Sequence, residues 1–491
     1  MEKTQVGAAS RRWWTLLVVS VAQLLVVLDA TIVNIALPSA QHEFDLSDTS
    51  RQWVVTAYTL AFGGLLLIGG RVSGAFGHRR TFTVGLVGFA AASALGGMAV
   101  NAEMLFAARA LQGCFAAALA PAGLSLLTMT FTDPREIGRA FGTFAAVGAG
   151  GSAVGLIAGG LLTEYADWRW CLYINVPIAL VALAAVPLVK RDRPGGTATG
   201  MDVPGVLLSA TGFVAVVYAF NQAEPRGWDD PLVMGLLVLG VLLLAAFVAV
   251  ERRVRQPLLP MRVLLHRARG AAYVTIWLMF VAMFGFYLFM SYYTQTILGY
   301  SPVQAGLTLI VNAVSAAVAS MLIAGRLHGR VAPVAIIVPG LSAAAVGMLI
   351  LTQLTADSSH VFWLYLIPAQ VLTGLGLGLV MTPTIGLATA DVDRADAGAA
   401  SATYNAAQQL GASLGTALLN TVATSAAATY VAGHRAGPGV VDAATVHGFT
   451  VALAVAGAIL VGAAVVAWIL LPRARSAQGA GEGQPVMAWE E

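Results

Sequence analysis

The chain has 491 residues, of which 58% are hydrophobic and 10% charged, with 27 Lys and Arg against 24 Asp and Glu. A soluble domain carries about a quarter charged residues, so no aqueous core would absorb this much apolar surface. The same figures exclude disorder, and continuous apolar tracts such as 271–325 do not suit the alternating strands of a closed barrel. The composition predicts an all-α polytopic membrane protein.

Fourteen apolar segments follow in chain order, at 15–37, 52–72, 81–99, 104–128, 137–162, 171–189, 203–220, 231–250, 271–297, 303–325, 332–353, 361–386, 398–421 and 448–471. Each is suited to a helix of roughly 20 residues crossing about 30 Å of hydrocarbon. Gly299, Tyr300, Ser301 and Pro302 are the only divider in an uncharged tract of 55 residues. As one helix that tract would be about 80 Å long, so it predicts two spans. The first segment is too long for a signal-peptide core and lacks a small-residue cleavage site, which predicts a retained span.

Charge supplies the orientation. With the N-terminus in the cytoplasm, 22 Lys and Arg fall in cytoplasmic segments and 4 in external ones, while acids divide 12 to 11. The positive-inside rule then predicts both termini cytoplasmic in a multi-pass plasma membrane protein, and the Ala- and Gly-rich composition suits a bacterial membrane. The basic linker from Glu251 through Arg269 reads as an anchor at an anionic inner leaflet, not as a nucleic-acid interface.

Two glycine-bounded basic turns, Gly70 to Ala75 and Gly325 to Arg330, each follow the second span of a six-span set. They predict parallel repeats: an N-terminal six-helix bundle at 1–195, two inserted helices with a linker at 196–269, and a C-terminal six-helix bundle at 270–475. A flexible cytoplasmic tail at 476–491 completes the chain. Six-helix halves form a complete pathway in one chain, so a functional monomer is expected.

Only Asp29 and Arg109 place a formal charge well inside a span. A buried carboxylate is expensive and is a candidate proton carrier; an arginine stays protonated and is a fixed electrostatic partner. Whether the two meet is left open by the sequence, because they lie on different helices. Asp29 as a purely structural carboxylate is the competing reading. In the fifth span Gly151, Gly155 and Gly159 recur every four residues, with Gly160 beside them, making a face for close helix contact or sliding. Asn34, Trp53, Tyr58, Gln112, Tyr287, Asn312, Tyr404, Asn405, Gln408 and Gln409 are candidate substrate-cavity residues; interface aromatics and packing amides are the alternative. Cys114 and Cys171 are the only cysteines, and none of the seven histidines has metal-like spacing. Neither a metal nor a cofactor is expected, and no catalytic cluster stands out.

The run Leu28, Asp29, Ala30, Thr31, Ile32, Val33, Asn34, Ile35, Ala36, Leu37, Pro38 resembles the first-span motif of the fourteen-span drug:proton antiporters, a branch of the major facilitator superfamily. Trp168, Arg169, Trp170, Asn175 and Pro177 resemble that branch's motif at the entry to span six. Arg109, Gln112 and Gly113 resemble the superfamily's fourth-span motif, whose arginine the family links to proton coupling. The span-five glycines match the antiporter-associated motif, and Asn405 through Gly415 a late-helix motif. Gly70, Arg71, Gly77, Arg79 and Arg80 keep part of the family's conformational-switch turn after span two. Departures are Gly74 in place of an acid, Ala75 in place of a base, Leu156 in place of a helix-distorting proline, and Gln408 in place of an arginine.

The resemblance implies a major facilitator fold of two six-helix bundles plus two central helices, and export by alternating access. The expected activity is proton-coupled efflux of bulky hydrophobic or amphipathic compounds, either cationic or neutral. A proton-coupled lipid or metabolite transporter and a non-transporting membrane sensor or scaffold are the alternatives. The expected partners are protons, a small amphipathic substrate and the bilayer.

Overall fold

The structure, a computed structural model, describes residues 2–46, 48–189, 202–254, 257–355, 358, 360–393, 396–434 and 439–471. The sequence-predicted tail at 476–491 lies outside these residues, as do the side chains of Asn34 and Leu156. All regular structure among the described residues is helical.

The first six rods are α1 (Glu2–Glu43), α2 (Asp48–Phe76), α3 (His78–Gly97), α4 (Ala102–Thr130), α5 (Pro134–Tyr165) and a broken sixth, α6 (Trp170–Tyr173) with α7 (Asn175–Ala185). The inserted pair is α8 (Val203–Arg226) and α9 (Pro231–Glu251), followed by the short linker helix α10 (Met261–Leu264). The last six rods are α11 (Arg267–Tyr292), α12 (Pro302–Val318) continuing into α13 (Gly325–Leu327), α14 (Val334–Leu351), α15 (Ile367–Thr389), α16 (Ala397–Gly433) and α17 (Val440–Leu470). Eleven of these rods are long and apolar enough to cross a membrane. The other three, α3, α5 and α16, have 20, 32 and 37 residues.

Local chemistry explains the breaks. Gly299 adopts a left-handed backbone with φ 69°, and Ser301 then caps α12 through a reciprocal bond with Gln304, with Pro302 in the first turn. Gly77, at φ 96°, turns the chain from α2 into α3, a conformation that costs any residue with a Cβ. α5 runs helically through Leu156, so the missing proline leaves that rod unbroken.

In lipid, apolar surface gives no net drive for helix association, so small residues that admit close backbone contact decide the packing. α1 packs on α5, and α2 and α3 pack on α4; in the second half α11 packs on α16, α14 on α15 and α17, and α12 on α15. The halves meet where α5 lies along α12 and where α2 and α4 meet α16. Gly138 faces Gly325, Gly142 faces Ser320, and Gly160 faces Val303, so the α5–α12 seam is closed along its length. Gly70 meets Gly398 backbone to backbone at the end expected to be cytoplasmic. α8 and α9 pack on each other, and α8 rests on both α2 and α16.

Candidate functional site

The site is built where five helices converge around one carboxylate. Asp29 on α1 is fully buried, and Arg109 on α4 is 1% exposed. Arg109 Nη1 donates to Asp29 Oδ2 at 2.6 Å, so the two intramembrane charges form a direct ion pair. Gln112 Nε2 and Asn175 Nδ2 both donate to the other oxygen, Asp29 Oδ1, at 2.9 and 2.7 Å. Gln112 sits three residues after Arg109 on the same helix face and also accepts from Arg109 Nη1 at 2.8 Å through Oε1. Its Nε2 reaches the hydroxyl of Ser93 on α3 at 2.7 Å.

Arg109 is held from a second side. Its Nε donates to the Val54 carbonyl on α2 at 3.0 Å, and the Tyr58 ring lies 4.5 Å from the guanidinium carbon. A buried ion pair is tolerable only when the remaining donors and acceptors are also satisfied, and here both carboxylate oxygens are. Two buried polar atoms at the site have no partner among the described residues: the Tyr58 hydroxyl and the Asn175 side-chain oxygen. Either can take a hydrogen bond from an arriving molecule. A small apolar void lined by Val33, Leu37, Val54, Leu105, Trp168 and Leu172 borders Arg109.

The glycine face of α5 explains how α1 is held at this depth. Gly151 faces Val27, Gly155 faces Leu28 and Thr31, and Gly159 faces Ile32. The four-residue stripe therefore packs on α1 on either side of Asp29, inside one half, while Gly160 alone of the four faces the other half at Val303.

A polar clasp gathers at the Glu43 end of α1, next to the apolar void. Arg169 donates to both oxygens of Glu43 at 2.7 Å, and Trp168 Nε1 donates to Glu43 Oε2 at 2.7 Å. Arg169 also reaches the Ala99 carbonyl at 3.0 Å, tying α1, the α3–α4 turn and the entry to α6 together. The Arg169 guanidinium and then the Trp168 indole hold the Glu43 carboxyl down at about 2. Trp170 is exposed and packs edge-on to Tyr173, and Pro177 lies in the first turns of α7, just after Asn175.

The turn after α2 has a different lock from the one the resemblance implies. With glycine at 74, the buried Ser73 hydroxyl and His78 Nδ1 hydrogen-bond across the turn instead. Arg71 and Arg79 are half-buried there and Arg80 is exposed.

Among the described residues, the remaining cavity candidates fall into separate local contacts. Tyr287 donates to Asn312 at 3.0 Å, and Asn312 bonds Thr373 and the Gln370 carbonyl in the second half. Tyr404 is buried against Thr384, with Gln408 beside it. Asn405 bonds the Ser401 carbonyl of its own helix, and Gln409 is half-buried. Trp53 lies on the side of α2 that faces the inserted pair, its ring 5.9 Å from Tyr218. Sequence reasoning missed Ser93 and the tie between Asn175 and Asp29; an amide inside an apolar span was the available signal for the second.

The Major Facilitator Superfamily model matches residues 19–416. The chain belongs to the Major Facilitator Superfamily. Over 465 residues it is 56% identical to the puromycin resistance protein pur8 of Streptomyces alboniger, covering 95% of this chain and 92% of the relative. It is 38% identical over 418 residues to the cephamycin export protein CmcT of Amycolatopsis lactamdurans, covering 82% and 83%. The fold is similar to that of the human organic anion transporter MFSD10, with a TM-score of 0.65, 12% identity, and 93% and 99% of the two chains covered. Within this superfamily fold, the Asp29 network lies wholly in the first six rods, and the Asn312 cluster occupies the second six.

Proposed function

We propose that this superfamily member is a proton-coupled exporter of bulky hydrophobic or amphipathic compounds, antibiotics among them, working by alternating access in the bacterial plasma membrane. The reading rests on one observation above others: a buried intramembrane carboxylate, held by one cation and two amides, in a chain alike to a puromycin resistance protein over nearly its whole length. In the proposed cycle Asp29 takes a proton from the outer side, which removes the charge that Arg109 pairs with. The freed guanidinium and the unpartnered Tyr58 hydroxyl then re-bond, and the halves exchange the closed end. Deprotonation toward the cytoplasm restores the ion pair as substrate binds. The rearranging units are 1–195 and 270–475, with fourteen crossings, both termini cytoplasmic and the monomer as the working unit.

The test is gradient-driven transport in proteoliposomes with puromycin, a cationic dye and a neutral antibiotic, comparing wild type with Asp29→Asn. The expected outcome is wild-type movement of at least one compound that responds to the imposed pH gradient and disappears in a folded Asp29→Asn. No movement of any compound beyond empty liposomes sinks the export reading. Equal gradient response in both proteins removes Asp29 from the coupling step.

A further inference from the structure

The inserted helix pair is closed at its inner end by two acids. Asp202 caps the start of α8, with Oδ1 accepting from the Gly205 amide at 3.0 Å. Glu251 ends α9, and its Oε2 accepts from the Leu259 amide of the linker at 2.8 Å. The second oxygen of each, Asp202 Oδ2 and Glu251 Oε1, is buried without a hydrogen-bond partner among the described residues. The two residues are 9% and 3% exposed. Both orphan oxygens point at the space above Gly205, where a Cβ would meet them together, Glu251 Oε1 at 2.6 Å.

Two ionised carboxylates offer acceptors only, so this arrangement leaves two acceptors facing each other with nothing to donate. Like charges this close cannot both persist in a buried site. Among the described residues, the charged groups on the surrounding elements do not resolve the conflict. Arg252 and Arg253 are exposed, Arg262 of α10 pairs with Asp393 and Asp396, and Arg269 of α11 is taken by the carbonyls of Arg262, Ala390 and Asp391. Arg71 on α2 forms no ion pair with either acid among the described residues. Leu259, whose amide Glu251 accepts from, belongs to a buried apolar cluster with Phe247, Leu258 and Val263.

We propose that Asp202 and Glu251 form a proton-binding site, separate from Asp29, in which one shared proton clamps the start of α8 to the end of α9. The proton sits on one orphan oxygen and is donated to the other, giving one O–H···O bond; when it leaves, cytoplasmic water accepts it and two facing anions remain. The clamp has a place to act. α8 rests on α2 and α16, whose Gly70 and Gly398 close the halves at the same end. Loosening it therefore frees the inserted pair beside the seam. The inference does not rest on the transport reading.

The experiment is hydrogen exchange of the full chain in lipid nanodiscs, followed in the peptides around Asp202 and Glu251 at about pH 6 and about pH 9. After correction for intrinsic exchange, wild type is expected to open about tenfold more at the higher pH. Glu251→Gln keeps a neutral donor toward Asp202 and is expected to stay protected at both; Asp202→Asn is the second variant and should behave alike. Infrared spectroscopy at the lower pH should show a protonated carboxyl band that either variant removes. Wild-type exchange that does not change with pH overturns the proposal, as does a full pH response retained in both variants. Protection that appears only on adding magnesium or calcium overturns it in favour of a metal cation between the acids.

Discussion

Asn175 and Gln112 donate to the same oxygen of Asp29, from α7 and α4 respectively. The first-span and sixth-span motifs, 146 residues apart, are thereby parts of one hydrogen-bonded unit. A hydrogen bond to a buried charged group contributes about 1.5–3 kcal/mol. Asn175→Ala is expected to lower the thermal midpoint by that order of destabilisation and to shift the pH dependence of transport. An unchanged melting curve and pH profile in Asn175→Ala would count against this coupling.

Arg109 should be the least replaceable member of the unit. Removing one partner of a buried pair leaves an uncompensated charge and costs about 3–5 kcal/mol. Arg109→Ala is therefore expected to be strongly destabilised. Arg109→Lys keeps the charge but gives up the planar fork that serves Asp29, Gln112 and the Val54 carbonyl together. Its stability should fall between wild type and Arg109→Ala. Adding Asp29→Asn to Arg109→Ala should recover part of the lost stability, and a thermal-shift double-mutant cycle reads this directly.

Gly155 tests whether the α5 stripe holds Asp29 at its working depth. A Cβ at Gly155 would lie 3.1 Å from the Leu28 carbonyl and closer still to Thr31, on either side of Asp29. Gly155→Ala should cost about 1–3 kcal/mol by overpacking and reduce transport beyond its effect on folded yield. Gly150, with open space around its α-carbon, is the matched control, and Gly150→Ala should be neutral or slightly stabilising. Equal losses in the two variants would remove the special role of the stripe.

The order of the rods was legible because long apolar runs and charge asymmetry are set by the bilayer, whatever the packing. The Gly299–Pro302 break was legible for a local reason: its turn and cap are written in adjacent residues. Asp29 and Arg109 stood out as costly residues, yet their contact depends on how α1 and α4 are rotated, which no single span records. The lock at Ser73 and His78 was hidden because neither residue is unusual until the turn at Gly77 brings them together. Asp202 and Glu251 were counted with the ordinary loop charges, although burial makes them exceptional.

The Glu43–Arg169–Trp168 clasp carries a pH dependence whose sign follows from Glu43. Its carboxyl is held at about 2 by Arg169 and Trp168, below the ordinary value of 4.5. A folded-state value below the unfolded one means the clasp's contribution is fully present above about pH 4.5 and is lost as pH falls toward about 2. Glu43 and Arg169 are 43% and 23% exposed, so solvent screening makes the contribution modest. In thermal unfolding of the detergent-solubilised protein, wild type should lose stability between about pH 4.5 and about pH 2 more steeply than Glu43→Gln. Trp168 emission is expected to change over the same interval as its indole loses the carboxylate partner, and Trp168→Phe identifies that signal among the ten tryptophans. Parallel acid profiles for wild type and Glu43→Gln would show that the clasp adds nothing at this pH.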